Sequence, residues 1–241
     1  VENERLLASV LGVEKVIYGT VTSAVGRRAA GDVVLEKLRG VGIAAGHPLS
    51  ERLVTAFEAA YLNVRLYPDA LSMKWSKMLT NLVANATAAI LDMTPAEIYA
   101  HPALYRLEMR MLAEALAVMK ASQIKVTDLP GTPVRLLARL PELPAVIRPL
   151  ARRILAGGRG GKMPSFHIDL HSGRGQSEVE WLNGAVVRQG EKVGVPVPVN
   201  RMLTQTLLAL TRGEIPLETF ARRPEQLLKI TDGVIQSIRA A

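Results

Sequence analysis

The 241-residue sequence contains no cysteine, so neither a disulfide framework nor a thiolate metal site can form. Aromatic residues make up only 4% of the chain and no stacking motif is present, which argues against nucleic-acid binding. No uninterrupted apolar run approaches the roughly 20 residues of a membrane span. Glu2, Glu4 and Arg5 give the first residues the wrong charge order for a signal peptide. These absences predict a cytoplasmic globular protein that binds neither nucleic acid nor a membrane.

Basic residues outnumber acidic ones by 30 to 22, which gives a formal net charge of +8. Much of the excess lies between Arg135 and Lys162, where Glu142 is the sole acid. The arginines of this segment are interleaved with Leu, Ile and Pro, a pattern that is typical of a solvated helix face. The positive charge therefore does not by itself indicate an anionic partner.

The chain divides by composition near residue 68. Before that point, β-branched segments alternate with one helical pattern, Leu49 to Leu62. The predicted strands are Lys15 to Val25, Asp32 to Leu35, Val41 to Ala45 and Val64 to Leu66. After residue 68 the strand signals vanish and helical periods take over. The fold class predicted from this shift is α/β followed by all-α.

Helical spacing of apolar residues predicts long helices in the second part of the chain. The predicted helices are Pro68 to Leu91, Pro102 to Ala121, Ser177 to Val193, Val199 to Leu210 and a terminal helix after Pro224. A further helix starts at Thr94-Pro95-Ala96-Glu97, where Thr94 can cap, Pro95 suits the first position and Glu97 completes a capping box.

Two motifs that suggest ligand sites fail on inspection. The glycine-rich segment Gly157 to Lys162 lacks the spacing of a phosphate-binding loop, and no G-x-G-x-x-G follows a strand. His167, Asp169 and His171 form an H-x-D-x-H run whose histidines would share a helix face, but a third protein ligand cannot be identified from the sequence. We therefore expect a loop at the glycines and no metal at the histidines.

Lys77, Asn81 and Asn85 follow one another at intervals of four within the predicted helix Pro68 to Leu91. Four residues rotate a helix by only about 40 degrees, so the three side chains are predicted to form one polar stripe on an otherwise apolar helix. Buried unpaired amides cost about 1 to 3 kcal/mol each, so they need partners. Two interpretations stay open: the stripe bonds a neighbouring helix or water, or it lines a cleft for a small polar anion. In the second, Lys77 supplies a positive charge and a proton.

A second informative stretch runs from Gly161 to Asn200. Ser165 lies in a short segment after Pro164, and Glu178 lies in the first turn of the helix predicted to begin near Ser177. An acid in that position can serve only to favour the helix dipole. Taken alone, these residues do not specify a site.

Three ordered segments resemble the ketopantoate reductase (2-dehydropantoate 2-reductase) family. WSKMLTNLVAN, residues 75 to 85, resembles the family's W-x-K-L-x-x-N-x-x-x-N helix. SEVEWLNG, residues 177 to 184, resembles its T-E-I-D-x-x-N-G helix, and VGVPVPVN, residues 193 to 200, is similar to its G-I-P-x-P-x-N turn. The opening VENERLL also looks like the sequence just after the family's Q-N-G.

The resemblance implies a fold and an activity. Residues 1–68 would be the C-terminal part of a Rossmann-type NADP-binding domain, whose first strands and glycine fingerprint are not in this sequence. Residues 69–241 would be a helical substrate-binding domain of the 6-phosphogluconate dehydrogenase-like type. The implied reaction is NADPH-dependent reduction of 2-dehydropantoate to pantoate, on the route to pantothenate and coenzyme A. The implied partner is this small 2-oxo acid, and a homodimer is left open.

The family's site residues carry over by motif. Lys77 matches the proton donor, Asn81 and Asn85 match substrate contacts, and Ser165 falls where the substrate's carboxylate end binds. For the cofactor, Glu178 matches the acid on the ribose side, and the backbone of Ala24 and Val25 falls near the nicotinamide.

The sequence also departs from the family pattern. A third family asparagine, expected about ten residues after Asn85, falls at Thr94-Pro95, and the stretch Leu129 to Gly161 is longer than in compact members. One extra residue separates Ser165 from Glu178. These departures leave open a reductase of another 2-oxo acid. The missing glycine fingerprint leaves open a second alternative, a truncated and catalytically inactive binding or dimerisation module.

Overall fold

A computed structural model of the chain describes residues 1–158, 162–173 and 175–240. Much of the predicted glycine loop, Gly157 to Lys162, lies outside the described residues. The chain forms two compact units, one of Val1–Thr80 with Gln123–Leu137 and the other of Asn81–Ser122 with Ala138–Ala241. The predicted domain boundary near residue 68 stays a prediction.

The first unit contains the β-structure of the described chain. Its strands are β1 (Gly19–Val21), β2 (Ala24–Ala29), β3 (Asp32–Lys37), β4 (Val41–Ala44) and β5 (Val64–Tyr67). A three-stranded sheet has the order β1-β4-β5, in which β1 is antiparallel to β4 and β4 is parallel to β5. β2 and β3 form a separate antiparallel pair.

The single strand predicted from Lys15 to Val25 is wrong. Lys15 ends a short 3₁₀ helix, and the β-branched run that follows is divided between β1 and β2, which belong to different sheets. Gly40 causes this division, because its carbonyl accepts the N–H groups of both Thr22 (3.0 Å) and Ser23 (3.3 Å). The Ser23 hydroxyl in turn accepts the N–H of Gly40 at 2.9 Å. These bonds turn the chain out of the first sheet at residues 22 and 23.

The helices follow the predicted order closely. They are α1 (Asn3–Leu11), α2 (Ser50–Ala59), α3 (Ala70–Leu82), α4 (Ala86–Leu91), α5 (Pro95–Ala100), α6 (Pro102–Ala121), α7 (Val134–Ala138), α8 (Arg148–Gly158), α9 (Ser165–His171), α10 (Asn183–Val193), α11 (Pro198–Thr211) and α12 (Pro224–Ala240). The fold class predicted from the sequence, α/β followed by all-α, is confirmed. No helix in the described ranges has the length and apolar character needed to cross a bilayer.

The capping box predicted at Thr94 is confirmed. The Thr94 hydroxyl accepts the N–H of Glu97 at 3.3 Å, and the Glu97 carboxylate accepts the N–H of Thr94 at 2.7 Å. These two bonds satisfy donors that a helix start leaves free. The N–H and the hydroxyl of Thr94 both donate to the Glu97 carboxylate, which favours its ionised form and lowers the pKa of Glu97.

The continuous helix predicted from Pro68 to Leu91 is wrong, because α3 ends at Leu82 and α4 begins at Ala86. Ala84 between them has a φ of 55°, in the left-handed region that non-glycine residues rarely adopt. Glu108 of α6 is almost fully buried beside this break, and its carboxylate accepts the N–H of Ala84 (2.6 Å) and the hydroxyl of Thr87 (2.5 Å). A tertiary contact thus stabilises a break that local helix propensity does not predict.

The helix predicted from Ser177 to Val193 is also interrupted. Residues Glu178–Trp181 form a 3₁₀ turn, Leu182 leaves helical geometry, and α10 starts at Asn183. The Asn183 side chain is completely buried, and its amide donates to the Asn200 side chain at 3.1 Å. This bond holds the start of α10 against α11. The interruption at Leu182 lies directly before this bonded residue.

The beginning of α11 is held by a half-buried acid. The Glu114 carboxylate accepts the backbone N–H groups of Val199 and Asn200, both at 2.9 Å, and the Asn200 side-chain amide at 2.8 Å. Burial raises the pKa of Glu114, and the hydrogen bonds oppose that rise. Glu114 therefore caps α11 from α6.

Candidate active site

Lys77 lies on α3 in the first unit and is half-buried. In the part of the chain that the structure describes, its ammonium has no hydrogen-bond or ion-pair partner. Burial lowers the pKa of Lys77, and the positive charges of Arg39 and Lys74 lower it further. This lysine is therefore easier to deprotonate than an ordinary surface lysine.

Lys74, one turn earlier on α3, is a paired lysine in the same unit. Its ammonium donates to the Glu4 carboxylate at 2.5 Å and to the carbonyl of Gly19 at 3.0 Å. Glu4 is itself buried, so this ion pair holds α1 against α3. Two lysines on one helix are thus differentiated, and Lys77 is the one whose ammonium lacks a counter-charge among the described residues.

The N-terminal part of α3 is anchored by two buried serines. The hydroxyl of Ser72 accepts the N–H of Lys125 at 3.0 Å, and the hydroxyl of Ser76 accepts the N–H of Thr127 at 2.9 Å. Ser72 and Ser76 lie about one helical turn apart, and Ser76 directly precedes Lys77. Two hydrogen bonds therefore hold the backbone just before the lysine. Such anchoring fixes the backbone from which the Lys77 side chain extends.

Asn81 and Asn85 belong to the second unit. Asn81 lies on α3 one turn after Lys77, but Asn85 lies beyond the end of α3 and directly precedes α4. Asn85 is 5% exposed, and its amide nitrogen donates to the carbonyl of Asn81 at 3.0 Å. Its amide oxygen accepts the N–H of Phe166 at 3.1 Å. Of the two interpretations of the polar stripe, bonding to a neighbouring helix therefore applies to Asn85, because Phe166 belongs to α9.

Ser165 is the first residue of α9, and its side chain is exposed. The amide nitrogen of Asn85 donates to the Ser165 hydroxyl at 3.3 Å. Two residues that are 80 positions apart in the chain are thereby brought together in the second unit. Their polar groups lie side by side where the break after α3 contacts the start of α9.

Glu178 begins the 3₁₀ turn before α10, and its carboxylate is exposed. It lines a cavity of about 500 Å³ in the second unit together with Ser177, Trp181 and Arg212. The cavity thus combines an acceptor, a hydroxyl, an aromatic ring and a cation, which suits a polar ligand larger than water.

Comparison with known proteins gives the family. The model of the family described as ketopantoate reductase PanE/ApbA, C terminal, matches residues 69–211. This chain belongs to that family. The matched range contains Lys77, Asn81, Asn85, Ser165 and Glu178.

Curated relatives carry the same enzyme name at low identity. A 2-dehydropantoate 2-reductase of Pyrobaculum aerophilum is 28% identical over 173 residues, which are 72% of this chain and 55% of that protein. One of Archaeoglobus fulgidus is 27% identical over 217 residues, which are 88% of this chain and 65% of that protein. The matched part of this chain thus spans 55% of the length of the first relative and 65% of the length of the second.

Solved structures agree with the family. A PanE/ApbA family ketopantoate reductase from Ralstonia eutropha superposes with a TM-score of 0.71 at 25% identity, covering 88% of this chain and 64% of that one. A D-mandelate dehydrogenase solved with NADH superposes with a TM-score of 0.69 at 19% identity, covering 87% of this chain and 73% of that one. The second likeness shows the shared fold alone.

The structure places the other predicted cofactor residues in the first unit. Ala24 and Val25 begin β2, where they pair with Lys37 and Leu35 of β3. Ala24 is half-buried, whereas the side chain of Val25 is 52% exposed. Their assignment to the nicotinamide stays a prediction from the family resemblance.

Sequence reasoning missed Glu108, which stabilises the break that positions Asn85. A signal was available, because Glu108 lies four residues after Leu104 and four before Leu112, so it falls on an apolar stripe of the predicted helix Pro102 to Ala121. An acid inside an apolar helix stripe indicates a buried partner. Which backbone groups it binds could not be read from the sequence.

Proposed function

We propose that this protein reduces the ketone of 2-dehydropantoate to pantoate with NADPH, in the cytoplasmic synthesis of pantothenate and coenzyme A. The observation that carries the proposal is Lys77, a half-buried lysine with no partner among the described residues and a lowered pKa. It stands at the lysine position of the family's characteristic helix motif.

Lys77 would act as the general acid. Hydride arrival at the ketone carbon turns the carbonyl oxygen into an alkoxide, which needs both charge stabilisation and a proton. An ammonium held within hydrogen-bond reach of that oxygen supplies both. Because burial and two nearby cations lower the pKa of Lys77, its proton is given up more readily than that of a solvated lysine.

Asn81, Asn85 and Ser165 would orient the substrate. The hydrogen bond between Asn85 and Ser165 orients both side chains before a ligand binds, which reduces the side-chain entropy lost on binding. The exposed Ser165 hydroxyl can donate to a carboxylate while it accepts from Asn85. This arrangement supports the assignment of Ser165 to the carboxylate end of a 2-oxo acid.

The residues at Glu178 fit a dinucleotide. An exposed carboxylate is an acceptor for two donors, which matches the vicinal hydroxyls of a ribose, and the neighbouring cavity offers Arg212 for a negative group. Glu178 would hold the ribose, with the backbone of Ala24 and Val25 near the nicotinamide. When bound, NADPH supplies the hydride.

The proposal is tested by the consumption of NADPH at 340 nm with 2-dehydropantoate, using the protein expressed from its complete coding sequence. We expect one NADPH to be oxidised for each pantoate formed, and no oxidation without substrate. Phenylglyoxylate, the 2-oxo acid that corresponds to mandelate, is the control for specificity towards the 2-oxo acid substrate. We expect its kcat/KM to be at least about tenfold lower, because its ring lacks the hydroxyl of ketopantoate.

Two outcomes would contradict the proposal. Absence of NADPH oxidation with 2-dehydropantoate would favour the inactive binding or dimerisation module. A higher kcat/KM for phenylglyoxylate would favour a reductase of another 2-oxo acid, in line with the substitution of the family's third asparagine by Thr94-Pro95.

A further inference from the structure

The end of α4 and the end of α9 meet in the second unit at three side chains that are suited to bind a transition metal. Asp92, His167 and His171 place one ligand atom each within 4.8 Å of one another. The His167 Nε2 atom lies 2.8 Å from the Asp92 carboxylate, and the rings of His167 and His171 lie side by side with centroids 4.2 Å apart. Among the described residues, this is the single cluster of three potential ligands.

We propose that Asp92, His167 and His171 bind a divalent transition-metal ion of the Zn²⁺ class. Two imidazoles and one carboxylate are a donor set that Zn²⁺ takes in proteins, with a fourth position left to water or another ligand. Zinc bonds of about 2.0 to 2.1 Å at tetrahedral angles put ligand atoms roughly 3.3 Å apart. One donor pair is 2.8 Å apart and all three donors lie within 4.8 Å of one another, so a rotation of the exposed His171 side chain would bring them to this spacing.

The backbone supports a cation at this point. Asp92 follows the last residue of α4, and His171 is the last residue of α9, so the negative ends of two helix dipoles face the cluster. Asp92 also has a φ of 48°, in a conformation that glycine or asparagine adopts more readily at a helix end. In this position the Asp92 carboxylate lies 2.8 Å from the Nε2 atom of His167.

Neither Asp169 nor His101 belongs to the cluster. Asp169 lies between the two histidines on α9 but is not among the three convergent residues, and it lines the separate cavity near Glu178. His101 caps α6 through its Nδ1 atom, which accepts the N–H of Leu104 at 3.3 Å. The proposed ligands are therefore Asp92, His167 and His171 alone.

A bound ion would cross-link α4 to α9. Asn85 directly precedes α4 and Ser165 begins α9, so the metal would brace the helix pair whose other ends carry the Asn85–Ser165 hydrogen bond. Its primary effect would be on the stability of this pair. The metal site does not depend on the proposed reductase activity.

Titration calorimetry with Zn²⁺ on the chelator-treated protein, expressed from its complete coding sequence, tests the site. We expect one equivalent to bind and the melting temperature to rise, since a ligand that binds only the folded state stabilises it. His171→Ala removes an exposed ligand without disturbing the core, and Asp92→Asn keeps a residue that tolerates the left-handed conformation. Each should weaken binding at least about tenfold and reduce the rise in melting temperature.

His47→Ala is the matched control, because His47 is a half-buried histidine of the first unit outside the cluster. Its affinity for Zn²⁺ should equal that of the unsubstituted protein. Mg²⁺, which prefers six oxygen ligands, should not compete. Absence of saturable Zn²⁺ binding, or equal affinity in His171→Ala, would show that Asp92 and His167 form a hydrogen-bonded ion pair only.

Discussion

Replacing Lys77 by alanine lowers kcat for 2-dehydropantoate at least about a hundredfold, the lower end of the usual contribution of a positioned general acid. The alkoxide that forms on hydride arrival then has neither a proton donor nor a positive charge beside it. Lys77 is half-buried, so water cannot approach the vacated position as freely as it would on the surface. Steady-state kinetics at saturating substrate and NADPH, with protein from the complete coding sequence, measure the effect.

Two further variants separate chemistry from charge. Lys77→Arg keeps a cation, but a guanidinium, whose pKa is well above that of an ammonium, does not release its proton near neutral pH, so we expect kcat to stay low while KM changes less. Lys120→Met removes an exposed lysine in the last turn of α6 and should leave kcat unchanged. Near-normal turnover of Lys77→Ala would refute the assignment.

Replacing Glu108 by alanine lowers the free energy of unfolding by at least about 3 kcal/mol, the largest stability effect that we expect. The substitution leaves the N–H of Ala84 and the hydroxyl of Thr87 without their acceptor, at about 1 to 3 kcal/mol each, and it opens a cavity in the core. Urea denaturation, followed by the circular dichroism of the helices, measures the change.

Glu108→Gln is the companion variant. Its amide oxygen can still accept one of the two hydrogen bonds, so we expect a smaller loss than for alanine. Glu225→Ala, at an exposed acid in the first turn of α12, should change stability by no more than about 0.5 kcal/mol. A loss for Glu108→Ala that is as small as for Glu225→Ala would mean that the carboxylate does not stabilise the break after α3.

The sequence predicted those elements whose stability is local. The bounds of α6 are the predicted Pro102 to Ala121, because a proline marks its first position and apolar residues recur at helical spacing along it. The capping box at Thr94 was predictable for the same reason, since its bonds join residues only three apart. Local chemistry and tertiary packing agree in these segments.

The sequence could not predict features that depend on distant partners. The break at Ala84 contains neither glycine nor proline, and the acid that stabilises it lies 24 residues away in the chain. Asp92 and His167 are separated by 75 residues, so the histidine run alone did not show a third ligand. Similarly, the motif that contains Asn85 did not show that its amide would bond Ser165 and Phe166.

The candidate site was predicted through the family motif more than through periodicity. Intervals of four placed Lys77, Asn81 and Asn85 on one stripe, but the helix ends before Asn85. The residue identities were nevertheless informative, because an amine and two amides within an apolar segment require partners. The structure provides partners for Asn85 among the described residues and none there for the ammonium of Lys77.

The pH dependence of kcat/KM tests most directly whether Lys77 is the proton donor. A general acid works in its protonated form, so kcat/KM should be constant at low pH and fall about tenfold per pH unit above the pKa of Lys77. Because burial lowers that pKa below the ordinary 10.5, the fall should begin below pH 10.5 in the unsubstituted protein and be absent in Lys77→Ala. A profile that stays flat up to pH 10.5, or the same fall in both proteins, would contradict the account.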